Sequence, residues 1–402
     1  MRTWIVKEYE TFQMPANAWP EEAVRRFVRL HGKRFDVQAP TLFNGHQWQI
    51  KPEGYVGRVP LSDEFCLVIE PKVGIRSLFR MLEYAYDLGC FYDQEVPVGA
   101  IDTLLQSLAI VLAERVTARA RRGLYRAYEP RHEALPLVRE RIDLAGQARR
   151  PWQVAVPCHY QEHTDDVLEN QALACALRLI LRSGICDERA QPRVRRSYQA
   201  VHALLPERSL AGADLAGIAL NRLNADYQPM LALCRFFLDH LGAEHLAGER
   251  DMLPFLIDMP ALFERFVGRW LKQHLHDGWQ VREQETLDIA RYDDGTALRF
   301  RADVVIRRAG CSPPWCVLDT KYKAADKIVE SDLHQVVSYA KAYGAGQAVL
   351  VYPEPPPLAQ ATVGSVTVRF LTFDLAQEIE SVGETFKRAL LGQQMVDSGV
   401  AG

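Results

Sequence analysis

Several common functional signatures are missing from this sequence of 402 residues. No G-x-x-x-x-G-K-[ST] pattern occurs, so the chain has no phosphate-binding P-loop of its own. If nucleotide hydrolysis drives its reaction, another subunit must supply that hydrolysis. No apolar run approaches the length that spans a membrane, and the first residues, MRTWIVKEYE, lack the apolar segment of a secretory signal. We therefore expect a cytoplasmic protein.

Cysteine pairs and an excess of positive charge are missing as well. The eight cysteines are scattered and none belongs to a C-x-x-C pair, so the sequence predicts no zinc site. Most of them lie in apolar runs, as reduced core cysteines do. The formal net charge is −3, so any surface for nucleic acid must be local or provided by a partner.

The composition is that of an ordinary globular protein, with 48% hydrophobic and 25% charged residues. The length suggests two or three domains, and the overall class is α/β with an α+β arrangement. Residues 1–98 mix strand-like and helical runs and predict a mixed α/β domain. Residues 99–250 predict a mainly helical, arginine-rich middle region. Residues 251–402 predict a further domain that contains the motifs described next.

The arginine-rich stretch runs from Arg115 to Arg150, with Tyr125 and Tyr128 interleaved. Basic residues beside aromatic ones can bind nucleic acid through phosphate contacts and base stacking. Glutamates such as Glu129 lie among them and equally fit an ion-paired surface. DNA contact, a protein interface and a plain solvated face all remain open for this stretch.

The most informative segment is FRADVVIRRAGCSPPWCVLDTKYK, residues 300–323. One strand-like run carries Asp303, and a second apolar run ends in Asp319, Thr320 and Lys321. Side chains two residues apart in a strand share a face, so Asp319 and Lys321 project together. Two carboxylates and an ammonium that converge at a sheet edge could hold Mg²⁺ and hydrolyse a phosphodiester.

A D-x-K tripeptide alone is common, and such a pair is usually a solvated ion pair that contributes little. The surroundings favour a site, because the run before Asp319 is apolar and a cationic stretch that includes Lys323 follows it. Upstream, residues 261–275 have the apolar spacing of an amphipathic helix, with Glu264 at the border of its apolar face. Downstream, residues 332–343 predict a helix that places Gln335 and Tyr339 on one face.

This order of elements resembles the PD-(D/E)xK nuclease superfamily over roughly the last third of the chain. The resemblance implies a restriction-endonuclease-like αβββαβ core in which Asp303 and Asp319 bind Mg²⁺, Lys321 is catalytic and Glu264 supports the site. The sequence departs from the family pattern at Ala302, where a proline is usual. That proline shapes the strand and is not a metal ligand, so the departure leaves the expected ligands intact.

Three further residues receive roles from the same resemblance. Gln335 and Tyr339 are expected to position the lysine or the DNA backbone, although an ordinary exposed helix face would show the same spacing. Lys323 is expected to contact the phosphate backbone of double-stranded DNA, while Lys321, nearer to Asp319, is expected to act at the reacting phosphate.

The rest of the chain is similar to the McrC family, the nuclease subunits of methylcytosine-dependent McrBC restriction systems. The resemblance rests on LVIEPKVGIRSLFRMLEYAYDL, VRERIDLAGQ and CHYQEHTDDVLENQALACAL, in this order. It implies a partner, a McrB-like AAA+ GTPase hexamer that translocates DNA, on which residues 1–98 dock and whose hydrolysis they stimulate. Lys72 and Arg76, at a turn in the first motif, are candidates for contacting that ring.

Two other interpretations remain. A stand-alone repair or mobile-element nuclease with the same core would cut without a GTPase. A non-catalytic activator of the ring would have lost its site, which the set Glu264, Asp303, Asp319 and Lys321 argues against.

Overall fold

The computed structural model describes residues 2–62, 65–88, 100–203, 205–241, 253–276, 278–323 and 328–392. The chain forms two compact units. The first combines Met1–Leu104 with Leu256–Gly402, and the second is Leu105–Phe255. The domain boundaries expected near residues 98 and 250 lie outside the described residues, so the division into three domains stays a prediction.

The amino-terminal part of the first unit is mixed α/β. Its elements are β1 (Arg2–Lys7), β2 (Phe12–Pro15), α1 (Glu21–His31), β3 (Phe35–Gln38), β4 (Gln47–Pro52), β5 (Tyr55–Pro60), β6 (Phe65–Glu70) and α2 (Ile75–Tyr86). α1 begins after Pro20 with two glutamates and ends with Arg29 and His31, an order of charges that complements the helix dipole. It buries Val24, Phe27 and His31, which recur at helical spacing against the aromatic core of this part.

The second unit is mainly helical, and it also contains a small sheet that the sequence analysis did not predict. Its elements are α3 (Ile101–Arg121), β7 (Ala127–Leu135), β8 (Arg141–Ile142), α4 (Leu144–Arg149), β9 (Val156–Thr164), α5 (Leu168–Ser183), α6 (Gln191–His202) and α7 (Gln228–Leu241). The first residues of α3, up to Leu104, belong to the first unit. The strands pair antiparallel in the order β7-β9-β8. β7 carries mostly polar residues without apolar alternation, and β9 has only a short alternation at Val156, Cys158 and Tyr160, so the strand signal of this sheet is weak.

The carboxyl-terminal part of the first unit carries the predicted core. Its elements are β10 (Phe255–Asp258), α8 (Met259–His274), β11 (Trp279–Arg291), β12 (Ala297–Arg308), β13 (Cys316–Thr320), α9 (Glu330–Tyr343), β14 (Gln347–Tyr352), β15 (Gln360–Val363), β16 (Val366–Thr372) and α10 (Ile379–Leu391). From α8 to β14 the order is αβββαβ, so the expected fold class is confirmed. The strands form one sheet, β11-β12-β13-β14-β16-β15, in which β13, β14 and β16 run parallel.

The two parts of the first unit share a sheet, because β10 completes the order β1-β6-β5-β10. The backbone N–H of Met259 also donates to the carbonyl of Gly54 at 2.9 Å. Gly54 has a φ of +74°, and a Cβ there would lie 2.4 Å from the hydroxyl of Tyr9, so only glycine fits at this position. The amino-terminal strands therefore position the start of the nuclease-like core.

Helix α8 begins at a well-defined cap. The Asp258 carboxylate accepts from the Ala261 N–H at 2.9 Å and from the Tyr55 hydroxyl at 2.9 Å. The helix buries Phe263, Phe266 and Trp270 at helical spacing. Within the described ranges, no helix is both long and apolar enough to cross a membrane.

Candidate active site

The two aspartates singled out in the sequence face each other across neighbouring strands. β12 and β13 pair antiparallel through Val304 with Leu318 and Ile306 with Cys316. Asp303 and Asp319 lie one step beyond this register, so their side chains leave the same face of the sheet. Asp319 ends a strand whose apolar residues are fully buried, and is itself only 2% exposed.

Asp303 is held by the residue that follows Asp319. The backbone N–H of Thr320 donates to Asp303 Oδ2 at 2.7 Å, and the Thr320 hydroxyl donates to the same oxygen at 2.9 Å. Both bonds orient the Asp303 carboxylate toward the end of β13. Thr320 therefore has a positioning role that the D-x-K pattern, with its open middle position, does not reveal.

Lys321 extends from the acids to helix α9. Its Nζ lies 2.6 Å from Asp319 Oδ2 and donates to Gln335 Oε1 at 3.0 Å. Gln335 in turn donates to the Tyr339 hydroxyl at 3.0 Å. The Tyr339 ring packs against Phe300 of β12 with centroids 5.1 Å apart. The predicted lysine and the predicted Q-x-x-x-Y pair thus form one hydrogen-bonded chain.

Lys323 has a different partner, Asp332 at the start of α9. Its Nζ lies 2.5 Å from Asp332 Oδ2, whereas Lys321 lies 3.9 Å from the other Asp332 oxygen. Asp332 is buried, and sequence analysis did not single it out. It precedes Gln335 by three residues, so helical spacing could have placed it on the face that meets the lysines.

Glu264 lies on α8, half-buried at the border of the apolar face of that helix. Its carboxylate accepts from the Gln284 side chain of β11 at 3.1 Å. Burial raises the pKa of Glu264, and the negative charge of Asp303 raises it further. Glu264 is therefore within electrostatic reach of Asp303, and its role as the supporting helix acid stays a prediction.

The electrostatics of the pair are dominated by burial and mutual repulsion. Burial and the charge of Asp303 raise the pKa of Asp319 to about 7, against the opposing effect of Lys321. Burial also raises the pKa of Asp303, although the Thr320 hydrogen bonds lower it. Burial alone would lower the pKa of Lys321, but the carboxylate of Asp319 and its neighbours outweigh that effect and raise it. The site thus keeps its lysine protonated beside acids that are costly to ionise.

This arrangement can hold a hard divalent cation and place an ammonium group beside it. Carboxylate oxygens are the ligands that Mg²⁺ prefers. A dication would relieve the repulsion that raises the pKa of Asp319, so the donor set and its electrostatics fit such an ion.

The segment after Lys321 reaches back to the first strand of the chain. The Tyr322 hydroxyl donates to Glu8 Oε1 at 2.8 Å, and the backbone N–H of Lys72 donates to the same oxygen at 2.8 Å. Glu8 is fully buried, and burial raises its pKa. Tyr322 also packs against Phe263 of α8, with ring centroids 5.9 Å apart. The segment that follows Asp319 and Lys321 is therefore tied to the amino-terminal part of the first unit.

The two residues proposed to contact a partner lie close to this tie. Lys72 is exposed and its Nζ lies 4.8 Å from the centroid of the Tyr9 ring. Arg76 is also exposed and forms an ion pair with Glu378 at 3.6 Å. Lys72, Tyr322 and Lys323 line the same cavity of about 330 Å³. The structure places both candidates on an accessible surface, and their role in partner binding stays a prediction.

Comparison with known proteins covers most of the chain. The family model described as McrBC 5-methylcytosine restriction system component matches residues 50–353, a range that includes every site residue predicted above. The Type IV methyl-directed restriction enzyme EcoKMcrBC of Escherichia coli (strain K12) is 21% identical over 296 residues, which are 67% of this chain and 81% of that protein.

A solved structure shares the fold. It is a half-complex from the tetradecameric assembly of Thermococcus gammatolerans McrB AAA+ hexamers with bound McrC. The matching chain is 18% identical, the TM-score is 0.57, and the match covers 97% of this chain and 99% of that one. Since the family model spans well over half of the sequence, this chain belongs to the family of McrBC 5-methylcytosine restriction system components.

Proposed function

We propose that this chain is the Mg²⁺-dependent DNA endonuclease subunit of a modification-dependent restriction system. The observation that carries the proposal is the cluster of Asp303, Asp319 and Lys321 at the end of two paired strands. In a component of a restriction system, such a cluster has the composition that phosphodiester hydrolysis requires.

Asp303 and Asp319 would hold the ion, and Glu264 would support them from α8. When bound, Mg²⁺ supplies Lewis-acid activation of the phosphate and of an attacking water. Lys321 contributes a fixed positive charge at the position where negative charge develops, because Gln335 and Asp319 hold its ammonium group in place. The other predicted residues, Lys323 and Tyr339, would help to bind or orient the DNA or the lysine rather than take part in the chemical step.

Lys323 fits the binding of the DNA backbone better than the chemical step. Its ammonium group is paired with Asp332 and lines the cavity beside the motif, so it can exchange that carboxylate for a phosphate. Tyr339 has an indirect role in this scheme, since it holds Gln335, which holds Lys321.

We further propose that the chain works with an AAA+ GTPase ring. The sequence has no P-loop, and the structural relative comes from McrB AAA+ hexamers with bound McrC. The amino-terminal part would dock on the ring and stimulate its GTP hydrolysis, with Lys72 and Arg76 as candidate contacts. The free thiols of all seven described cysteines support a reducing, cytoplasmic setting.

The test is cleavage of a methylated plasmid by the full-length chain with its GTPase partner, GTP and Mg²⁺. Asp303→Asn and Asp319→Asn should each reduce cleavage on the order of a hundredfold or more, because each removes a charged ligand of the ion. Stimulation of GTP hydrolysis should remain at the wild-type level. Asp288→Asn is the matched control, since Asp288 is a surface acid of the same sheet that pairs with Arg299.

Two outcomes would contradict the assignment. Wild-type cleavage by either aspartate variant would show that the ion is held elsewhere. Comparable small losses in Lys321→Ala and Lys323→Ala would remove the distinction between a catalytic lysine and a backbone-binding one.

The two alternative functions predict different results in the same assay. A stand-alone nuclease would cut at full rate without the GTPase. A non-catalytic activator would stimulate GTP hydrolysis yet leave the plasmid intact even with Mg²⁺ and the partner present.

A further inference from the structure

Two histidines and an aspartate meet on the small sheet of the second unit. His132 lies on β7, His159 lies on β9, and Asp143 directly follows β8. Among the residues that the structure describes, these form the one set of three His, Cys, Asp or Glu side chains whose ligand atoms all lie within 4.8 Å of one another. Two of the ligand atoms come from paired strands and the third from the residue that follows β8, so the fold of this sheet brings them together.

The register of the sheet explains why the histidines meet. The β7–β9 ladder places His132 directly opposite His159. Directly opposed residues in an antiparallel pair project from the same face. The two rings stack with centroids 4.0 Å apart and an interplanar angle of 6°. Both histidines are exposed, so an ion from solvent can reach them.

Asp143 is fixed beside them by its own backbone surroundings. Its Oδ1 accepts from the Gly146 N–H at 3.0 Å, which is also the main reason that the pKa of Asp143 is lowered. Its Oδ2 lies 3.2 Å from His132 Nε2. A Cβ on residue 146 would lie 2.5 Å from that same Oδ2, so glycine at this position keeps the carboxylate where it is.

The distances between these atoms are compatible with metal coordination. Zinc bonds of about 2.0–2.1 Å in a tetrahedral arrangement separate neighbouring ligand atoms by roughly 3.3 Å. Asp143 Oδ2 and His132 Nε2 lie 3.2 Å apart at hydrogen-bonding distance, and an ion would take the place of that hydrogen bond. The stacked rings would turn so that one nitrogen of each bonds the same ion, because imidazole lone pairs lie in the plane of the ring. Imidazole nitrogen with one carboxylate suits late first-row dications such as Zn²⁺, whereas Mg²⁺ prefers an all-oxygen set.

We propose that His132, His159 and Asp143 form a binding site for a transition-metal dication, with Zn²⁺ as the ion. Three protein ligands leave a fourth tetrahedral position to water. Arg141 is the register partner of His159 on its other side, and its positive charge opposes a cation there. The affinity is therefore modest compared with that of a closed structural zinc site.

A bound ion would clip together β7, β9 and the beginning of α4. This clip would order residues 139–150, which form the carboxyl-terminal end of the basic stretch noted in the sequence. The absence of C-x-x-C pairs excluded a cysteine site only. A site built from cross-strand histidines leaves no spacing signature, since His132 and Asp143 are brought to His159 by strand pairing.

The experiment is a calorimetric titration of the untagged full-length chain with Zn²⁺, in excess Mg²⁺ so that oxygen-rich sites are saturated. Wild-type protein should bind one equivalent. His132→Ala and His159→Ala should each weaken that binding at least tenfold. His163→Ala is the matched control, because His163 is an exposed histidine of β9, like His159, but stacks on Tyr128 instead. This variant should bind Zn²⁺ like wild type.

Two further measurements keep the result unambiguous. Circular dichroism checks that each variant is folded, which is expected because both histidines are at the surface. Co²⁺ in place of Zn²⁺ should show visible absorption without the thiolate charge-transfer band that a site at the exposed Cys311 would give. Lack of stoichiometric binding by wild type, wild-type affinity in either histidine variant, or a thiolate band would overturn the proposal. None of these outcomes bears on the nuclease site, since no DNA is present.

Discussion

Replacing Tyr322 by phenylalanine removes the hydroxyl that joins the segment after Lys321 to Glu8, the residue that directly follows β1. The Tyr322 hydroxyl is a donor to the fully buried carboxyl group of Glu8. A buried acceptor that loses its partner costs about 1–3 kcal/mol. The Lys72 N–H still reaches Glu8 Oε1, which moderates the loss, whereas Oε2 has no hydrogen-bond partner among the described residues, which increases it.

We therefore expect Tyr322→Phe to lower the free energy of unfolding by about 2 kcal/mol, roughly a 30-fold change in the folding equilibrium. For a unit of about 250 residues, this corresponds to a decrease in Tm of roughly 4–8 °C. The aromatic ring stays, so the packing against Phe263 is kept. Scanning calorimetry measures the shift, and Tyr292→Phe, which alters an exposed tyrosine, should change Tm by less than about 1 °C.

A double-mutant cycle with Glu8→Gln isolates the pair. If the hydroxyl acts through Glu8, the two substitutions should be non-additive by about 1 kcal/mol or more. Additivity within about 0.5 kcal/mol would refute the reasoning, because the hydroxyl would then stabilise the fold through some other contact.

Three other substitutions test separate features. Burial raises the folded-state pKa of Glu8 above 4.5. The protonated carboxyl group therefore stabilises the fold below pH 4.5, and this contribution is lost as the pH rises through the folded-state pKa. In urea titrations at several pH values, wild type should accordingly lose stability relative to Glu8→Gln over that pH range. Gly383→Ala should cost about 1–3 kcal/mol, since its Cβ would lie 2.3 Å from the Trp270 ring, whereas Gly346→Ala, which meets no atom within 4 Å, should cost far less in thermal melts. Asp258→Ala removes the cap of α8 and should cost about 1–2 kcal/mol in denaturant melts, while Asp258→Asn should keep most of it, and equal losses would show that the cap is not the cause.

The nuclease-like core was predictable because its signals are local. Asp319 and Lys321 lie two residues apart on one strand, and Gln335 and Tyr339 lie one turn apart on a helix, so strand and helix periodicity placed each pair correctly. The meeting of Asp303 with Asp319 followed from the expected strand order. Their chemical roles remain predictions that only the cleavage assays can decide.

Contacts between distant segments were not predictable in the same way. Glu8 and Tyr322 are 314 residues apart, and no periodicity links them. The strand β10 lies next to α8 in sequence, yet it pairs with β5 from the other end of the chain. His132 and His159 meet only through the pairing of β7 with β9, and β7 has no apolar alternation that would have predicted this pairing.

The sheet order β1-β6-β5-β10 has a consequence for synthesis on the ribosome. About 195 residues separate the end of β5 from the start of β10. At roughly 5–20 residues per second, β5 stays an unpaired sheet edge for about 10–40 s after it emerges. Tyr322 emerges later still, and its contact with Glu8 can form only after residue 322 has left the ribosome. An unpaired sheet edge is a template for pairing with another chain, so β5 is open to such pairing throughout that interval.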